Sequence, residues 1–232
     1  VTVLRIGTYN VRSMQDSVPA LVRVITAMRP DVLCVQEAPR FFNWRGKRTE
    51  LAQACGMTVA AGGRLGGVAV YAGPRARVVY AENRVLKVFI GLEVRGMALA
   101  VLEIDGVRLA VGAIHLDLDA PARLYHVNEA MAQLDRVAQA QGAIPVIAGD
   151  LNEQDHEPAW RCLAGRLSDC YPAAPRGNGL TFTARQPKER IDAIFAGAGL
   201  SVVSCGVPEA EAADLAAATD HLPVVAELTV AP

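Results

Sequence analysis

Five apolar runs in this sequence close on a polar residue able to do chemistry: Asn10 in GTYNVRS, Glu37 in CVQEA, His115 in GAIHLDLD, Asp150 with Asn152 in AGDLNE, and Asp220 with His221 in ATDHLPVV. A sixth charge, Asp192, is set among the apolar residues of RIDAIF. Carboxylates with amide partners, poor in neighbouring hydroxyls and thiols, make a hard oxygen-lined site suited to Mg²⁺ or Mn²⁺ rather than zinc. Two histidines add acid, base or anion-binding capacity near neutral pH. A divalent cation and imidazoles around one pocket would stabilise the negative charge that builds on a phosphoryl group during ester cleavage. Taken singly, Asn10 reads as well as a turn residue, Glu37 as a solvated strand end and His115 as a satisfied interior histidine. Asp192 is harder to set aside, because a carboxylate embedded in a strand must be paired or hydrogen-bonded.

Asp150 and Asn152 stand at alternate positions, so an extended backbone points both toward one phosphate while Leu151 turns into the core. His115 and Asp117 share that spacing. Asp117 is thereby a supporting candidate, set against the plainer reading of a surface carboxylate after a strand.

The elements that must gather these residues alternate along the chain. VTVLRIGTYNV, PALVRVITAMRP and DVLCVQEA read as strand, helix, strand, with Pro19 in the helix's first turn and Pro30 stopping it. Leu21, Val22, Val24, Ile25 and Met28 form its apolar face. From Met57 to Ala113 the candidate strands GGVAVYAG, ARVVYAE, FIGLEVRG, ALAVLEIDG and VRLAVGAIHL are parted by Gly or Asp-Gly and read as antiparallel meanders. PARLYHVNEAMAQLDRVAQAQG reads as a long helix on the face Leu124, Val127, Met131, Leu134 and Ala138, ended by Gly142. Strand AIPVIAGDL, helix EPAWRCLAGR, a turn-rich YPAAPRGNG and strands RIDAIFAG, LSVVSCGV and HLPVVAELTV follow. The expected fold is α/β (α+β): a four-layer sandwich of two mixed β-sheets flanked by helices, each half of the chain building its own sheet, in one domain over residues 1–232.

Composition agrees with a packed core: hydrophobic residues make 52% and charged residues 20% of the 232. Lys and Arg number 23 against 24 Asp and Glu, so no global positive field draws the chain onto nucleic acid. Five scattered cysteines without a CxxC pattern suggest a reduced, cytoplasmic protein, although Cys162 and Cys170 could pair in an oxidising compartment. No run reaches the roughly 18 apolar residues of a membrane span. Because the numbering opens at Val1, a leader removed before it stays open.

TYNVRS, VQE, IHLD, GDLN, RIDAIF and TDHLPV, in this order and spread, resemble the endonuclease/exonuclease/phosphatase family, metal-dependent enzymes that include deoxyribonucleases, abasic-site endonucleases, sphingomyelinases and inositol-polyphosphate phosphatases. The resemblance spans nearly the whole chain; each motif is weak alone, and together they are specific for the family and not for a substrate. It implies Glu37 as the principal metal ligand, with Asn10 close to both the metal and the phosphate and Asp220 near the metal. It implies Asp150 as the carboxylate that orients or deprotonates the attacking water and Asn152 as the amide that holds the phosphate or that water. His221 is similar to the phosphate-contacting histidine, oriented by Asp192, and His115 to the extra histidine that some members place on the leaving-group side.

Other residues compete for roles. Arg12 stands where some nuclease members carry an acidic residue for a second metal; its charge argues for one-metal chemistry or for contact with substrate phosphate, against the reading of a solvated surface Arg. Arg123 opens the long helix after HLDLDAP and reads as a phosphate or substrate clamp, with His126 on the helix surface. GGRLGG lacks the GK[ST] ending of a phosphate loop and reads as a hairpin or flexible loop. FFNWRGKR gathers aromatic and basic side chains in the composition of a stacking platform for a base or sugar, with Trp44 as its candidate contact; packing under a loop is the alternative.

The expected activity is a Mg²⁺- or Mn²⁺-dependent phosphoester hydrolase of phosphodiesterase or nuclease type, acting on nucleic acid or a small phosphodiester, as a monomer. A small-molecule phosphomonoesterase on the same site is the alternative. A non-catalytic phosphate-ligand binding protein is the reading from another class.

Overall fold

The computed structural model describes residues 2–230, so Val1 of the first expected strand lies outside the described residues. In chain order the elements are β1 (Val3–Asn10), α1 (Val18–Met28), β2 (Val32–Gln36), α2 (Trp44–Ala54), β3 (Thr58–Ala61), β4 (Ala69–Ala72), β5 (Arg77–Val85), β6 (Gly96–Ile104), β7 (Val107–His115), α3 (Ala120–Gln141), β8 (Ile144–Asp150), α4 (Pro158–Ala164), β9 (Ser168–Asp169), α5 (Cys170–Ala173), β10 (Pro175–Arg176), β11 (Asp192–Ala196), β12 (Leu200–Gly206), α6 (Ala212–Ala218) and β13 (Val224–Val230).

The two long helices start and stop on local chemistry. The Ser17 side chain accepts the Ala20 N–H at the head of α1, and Arg29 in a left-handed conformation ends it before Pro30. Asp119 caps α3 by accepting the Ala122 N–H, and Gly142 at φ 58° closes it.

Among the described residues thirteen strands form two sheets, in the orders β10-β12-β13-β1-β2-β4-β3 and β5-β6-β7-β8-β11-β9. Each mixes orientations: β1 runs parallel to β2, β10 to β12 and β7 to β8, the other pairings being antiparallel. The sheets face each other across one apolar layer that joins Leu4, Ile6, Val32 and Leu228 of the first to Leu102, Leu109, Val146 and Ile194 of the second. The outer face of the first packs on α1, and that of the second on α3 and α4, giving the four layers that the alternation of elements led us to expect.

Three expectations are corrected. The halves do not build a sheet each: β12 and β13 complete the sheet begun by β1 and β2, because β1 needs a partner on the side that β2 leaves open. FIGLEVRG is not a strand. Residues 89–95 form the connection between β5 and β6, where Gly91 adopts φ 85° and Ile90 is fully exposed, and Gly96 already begins β6. Leu124 is exposed; the buried stripe of α3 runs instead through Arg123, His126, Val127, Ala130, Met131, Leu134 and Val137. The helix α2, unread in FFNWRGKR, starts at Trp44.

Candidate active site

Register places the polar strand ends together. Asn10 ends β1 opposite Gln36 of β2, His115 ends β7 opposite Asp150 of β8, and Asp150 faces Asp192 at the start of β11. Since β13 begins opposite the end of β1, His221 just before it arrives at the same rim. The two sheets thus deliver side chains to an open cleft of about 1030 Å³, lined among others by Glu37, His115, Asp117, Asp150, Asn152, Asp220 and His221.

Asn10 ties the cluster. Its Oδ1 accepts the Arg12 N–H at 3.0 Å, which orients the amide, and its Nδ2 donates to Glu37 Oε1 at 3.1 Å and Asp150 Oδ2 at 3.0 Å. In this arrangement Asn10 tethers two carboxylates and its oxygen is engaged by backbone. Glu37 is held at φ 47°, a left-handed corner that costs a side-chain-bearing residue on the order of 1 kcal/mol. It lines the cleft and, among the described residues, makes no ion pair with Lys or Arg.

Asp150 is buried, and its Oδ2 lies 3.4 Å from His115 Nε2 and 3.6 Å from His221 Nε2. Its Oδ1 accepts the Asn152 N–H at 3.0 Å, and Asn152 sits at φ 49°. Both residues reach the cleft, but through this tight turn and not along the extended backbone we expected; Leu151 does turn into the core.

The histidines are set in opposite protonation states. His221 Nδ1–H donates to Asp192 Oδ2 at 2.9 Å. Burial opposes a charge on this ring, but the Asp192, Asp150 and Asp220 carboxylates outweigh it and raise the imidazole from 6.5 to about 9. Asp192 is itself fixed by Thr181, whose Oγ1 accepts its N–H, while the Phe182 ring lies 4.9 Å from the His221 ring. His115 is pushed down to about 4, chiefly by burial, against Asp150 and with the help of the Arg95 charge. Asn152 Nδ2 donates to the Leu116 carbonyl at 3.0 Å, so its second N–H faces His115 Nε2 at 3.2 Å and makes that nitrogen an acceptor.

The donor set fits a hard divalent cation. Glu37 and Asp150 share one amide donor, and Glu37 has no protein cation beside it, so neighbouring negative charge is left for an ion to offset. Asp150, Asp192 and His221 also offer ligand atoms within 4.8 Å of one another. There the His221–Asp192 hydrogen bond already occupies Nδ1. Asp220 lines the cleft with Oδ1 on Thr219 and Oδ2 3.4 Å from Arg12.

Three residues read as substrate contacts lie outside the cleft lining. Arg12 turns into a neighbouring pocket of about 300 Å³, between Asp16 at 3.4 Å and Asp220. Arg123 is buried beneath the rim, against Glu153 at 3.4 Å, Glu157 at 3.2 Å and the Leu118 carbonyl at 2.8 Å, because it occupies the core stripe of α3. Trp44 lies on α2 with the Arg45 and Arg48 guanidiniums 4.5 and 4.8 Å from its ring. His126, read as surface, is buried with Nε2 2.9 Å from the Lys87 carbonyl. All five cysteines are free thiols, Cys162 and Cys170 included.

The cleft wall holds residues that the sequence did not single out. Arg40 and Arg95 both pair with Glu93, and Arg95 also approaches Asp117 at 3.4 Å. Arg40 precedes Phe41 and Phe42 and Arg95 follows the Gly91 turn, settings in which any Arg looks solvated; only the Glu37 neighbourhood hinted at Arg40.

No curated protein matches the chain by sequence. Among solved structures, the endonuclease/exonuclease/phosphatase from Bacteroides vulgatus superposes with a TM-score of 0.82 at 18% identity, covering 100% of both chains. The mannosyl-6-phosphatase of Bacteroides thetaiotaomicron VPI-5482 gives 0.80 at 18% identity over 97% of this chain and 99% of that one. The human Nocturnin catalytic domain with bound sulfate gives 0.77 at 17% identity over 99% and 95%. The sequence profile of the Endonuclease/Exonuclease/phosphatase family matches residues 7–221, and the chain belongs to that family of phosphoester hydrolases.

Proposed function

We propose that the protein is a divalent-metal-dependent phosphodiesterase that uses water as the nucleophile. The observation that carries this reading is the junction of Asp150 with Asn10, Glu37 and His221 at one rim of two sheets. Glu37, with Asp150 and Asp220 near it, would hold Mg²⁺ or Mn²⁺. When bound, such a cation neutralises charge on the phosphoryl group and the departing oxygen. Asp150 accepts the proton of the attacking water as the new O–P bond forms and the bond to the leaving oxygen breaks. His221, held as an imidazolium by Asp192, stabilises the charge gathering on the non-bridging oxygens. Asn152 faces the same cleft beside His115, which burial keeps neutral, and Asn10 holds the two carboxylates in place.

Hydrolysis of bis(p-nitrophenyl) phosphate with Mg²⁺ or Mn²⁺ is expected, and a chelator is expected to abolish it. His221→Ala should lower kcat by about 10²–10³-fold. Turnover that survives both chelator and the substitution contradicts the mechanism. A phosphomonoesterase is the second reading: the mannosyl-6-phosphatase with the same fold bears that name, and the cleft wall alternates Arg40, Glu93, Arg95 and Asp117 with no continuous basic track for a polynucleotide. A shallow salt dependence of KM would favour a small substrate over nucleic acid.

A further inference from the structure

The five most exposed large apolar side chains among the described residues are Ile90, at 104% relative exposure, Phe42, Leu118, Phe41 and Leu65, at 56%. All five lie on segments that line the cleft or adjoin its lining. Phe41 and Phe42 follow Arg40, Leu65 precedes Gly66, Ile90 precedes Gly91 and Leu92, and Leu118 is itself a lining residue. Scattered apolar residues on a surface need no explanation, but their concentration at one mouth does.

The segments are fastened to one another. Arg64 Nε donates to the Arg40 carbonyl at 3.1 Å, Arg40 pairs with Glu93 at 2.9 Å, and Gly66 bridges to Arg95 through backbone. The β5–β6 turn is anchored from below, where Phe89 packs edge-on against Tyr125 at 5.7 Å and lies 5.5 Å from His126. Its neighbours Val88 and Ile90 remain exposed. The turn therefore already has its core contact, and Ile90 is surplus to folding.

Charge selects the partner. Across residues 40–47, 62–67, 86–96 and 117–119 stand six basic residues, Arg40, Arg45, Lys47, Arg64, Lys87 and Arg95, against three acidic ones, Glu93, Asp117 and Asp119, a net positive mouth in a chain whose net charge is -1. Basic side chains interleaved with exposed Phe, Leu and Ile are the composition that enters the headgroup layer of an anionic bilayer. A nucleic-acid platform would present rings, yet Ile90, Leu65 and Leu118 have no π-face on which a base can stack.

We propose that this mouth docks on an anionic phospholipid surface, and that the phosphoester entering the cleft is borne by a lipid headgroup. The second clause rests on the hydrolase reading above; the first does not. The test is co-sedimentation of the full chain with vesicles of equimolar phosphatidylserine and phosphatidylcholine, beside vesicles of phosphatidylcholine alone and a mixed-sequence single-stranded oligonucleotide. Wild-type protein is expected to bind the anionic vesicles most tightly, and less as salt rises. The double variant Phe42→Asp with Ile90→Asp should bind them at least about tenfold more weakly. Its hydrolysis of soluble bis(p-nitrophenyl) phosphate should stay within about twofold of wild type, since exposed side chains away from the reacting groups have small effects. Absence of vesicle binding at low salt, binding indifferent to the two substitutions, or capture of the oligonucleotide in place of vesicles would each overturn the docking surface. Vesicle binding with no hydrolysis of any phosphoester would leave the surface standing and remove the hydrolase reading.

Discussion

His221 keeps its proton because Asp192 stands behind it, and that pairing sets a pH dependence. Its folded value is about 9 against an ordinary 6.5. The stabilisation from the charged ring is thus complete below about 6.5 and is lost as pH climbs through about 9. If the imidazolium is what stabilises the phosphoryl charge, kcat/KM declines along the same alkaline limb. Asp192→Asn removes the leading favourable partner and is expected to move that limb down by about 1–3 units, which a pH–rate profile measures. An unchanged limb would detach His221 from Asp192. At this scale much was legible: Asp192 drew notice because a carboxylate amid Ile and Phe requires a partner, and the partner is present. The types of Arg12 and Trp44 do not by themselves place them, since charge and aromaticity leave the direction of a side chain undetermined. Tertiary packing decides it: Arg12 turns to Asp16, and Trp44 stacks with its own helix's arginines.

Among elements, α3 shows how a helical face carries more than apolar residues. The start and the glycine stop were readable from Pro121 and Gly142, but its buried stripe includes Arg123 and His126, which hydrophobic spacing alone assigns outward. Arg123 lies against the buried Glu153, whose carboxyl is itself pushed up by burial. Removing the guanidinium leaves that acid without its cation in an apolar setting. Arg123→Ala is therefore expected to cost about 3–5 kcal/mol in denaturant unfolding while leaving KM near its original value; a raised KM with unchanged stability would return Arg123 to the substrate. Two other elements escaped the sequence for physical reasons. The helix α2 has a weak apolar periodicity in WRGKRTELAQA and buries Arg48 along with Leu51 and Ala52. The segment FIGLEVRG has strand-like composition, but its neighbours β5 and β6 pair directly with each other and leave it no ladder.

For the whole molecule, the four layers followed from the rhythm of strands and helices, whereas strand order did not, because pairing partners far apart in sequence leave no local mark. The order matters for the site. Glu37 belongs to one sheet and Asp150 to the other, and Asn10 spans them. A cation held by Glu37 with Asp150 beside it would link the two sheets, so saturating Mg²⁺ at about 100 times its Kd should add about 2.7 kcal/mol to stability. For a chain of this size that amounts to a rise of about 5–10 °C in Tm by calorimetry. Glu37→Gln should lose most of the rise, and a Tm indifferent to metal in wild type would count against the site as a cation holder.

The pairing of β1 with β13, from Val3 beside Thr229 to Thr8 beside Val224, also governs events on the ribosome. During synthesis β1 must wait with one edge bare until residues 224–230 emerge, and Asp220 and His221 come out only shortly before them. Until that moment the nascent chain has no assembled reaction centre, and a truncated product lacking β13 exposes an unsatisfied strand edge that invites self-association rather than partial activity.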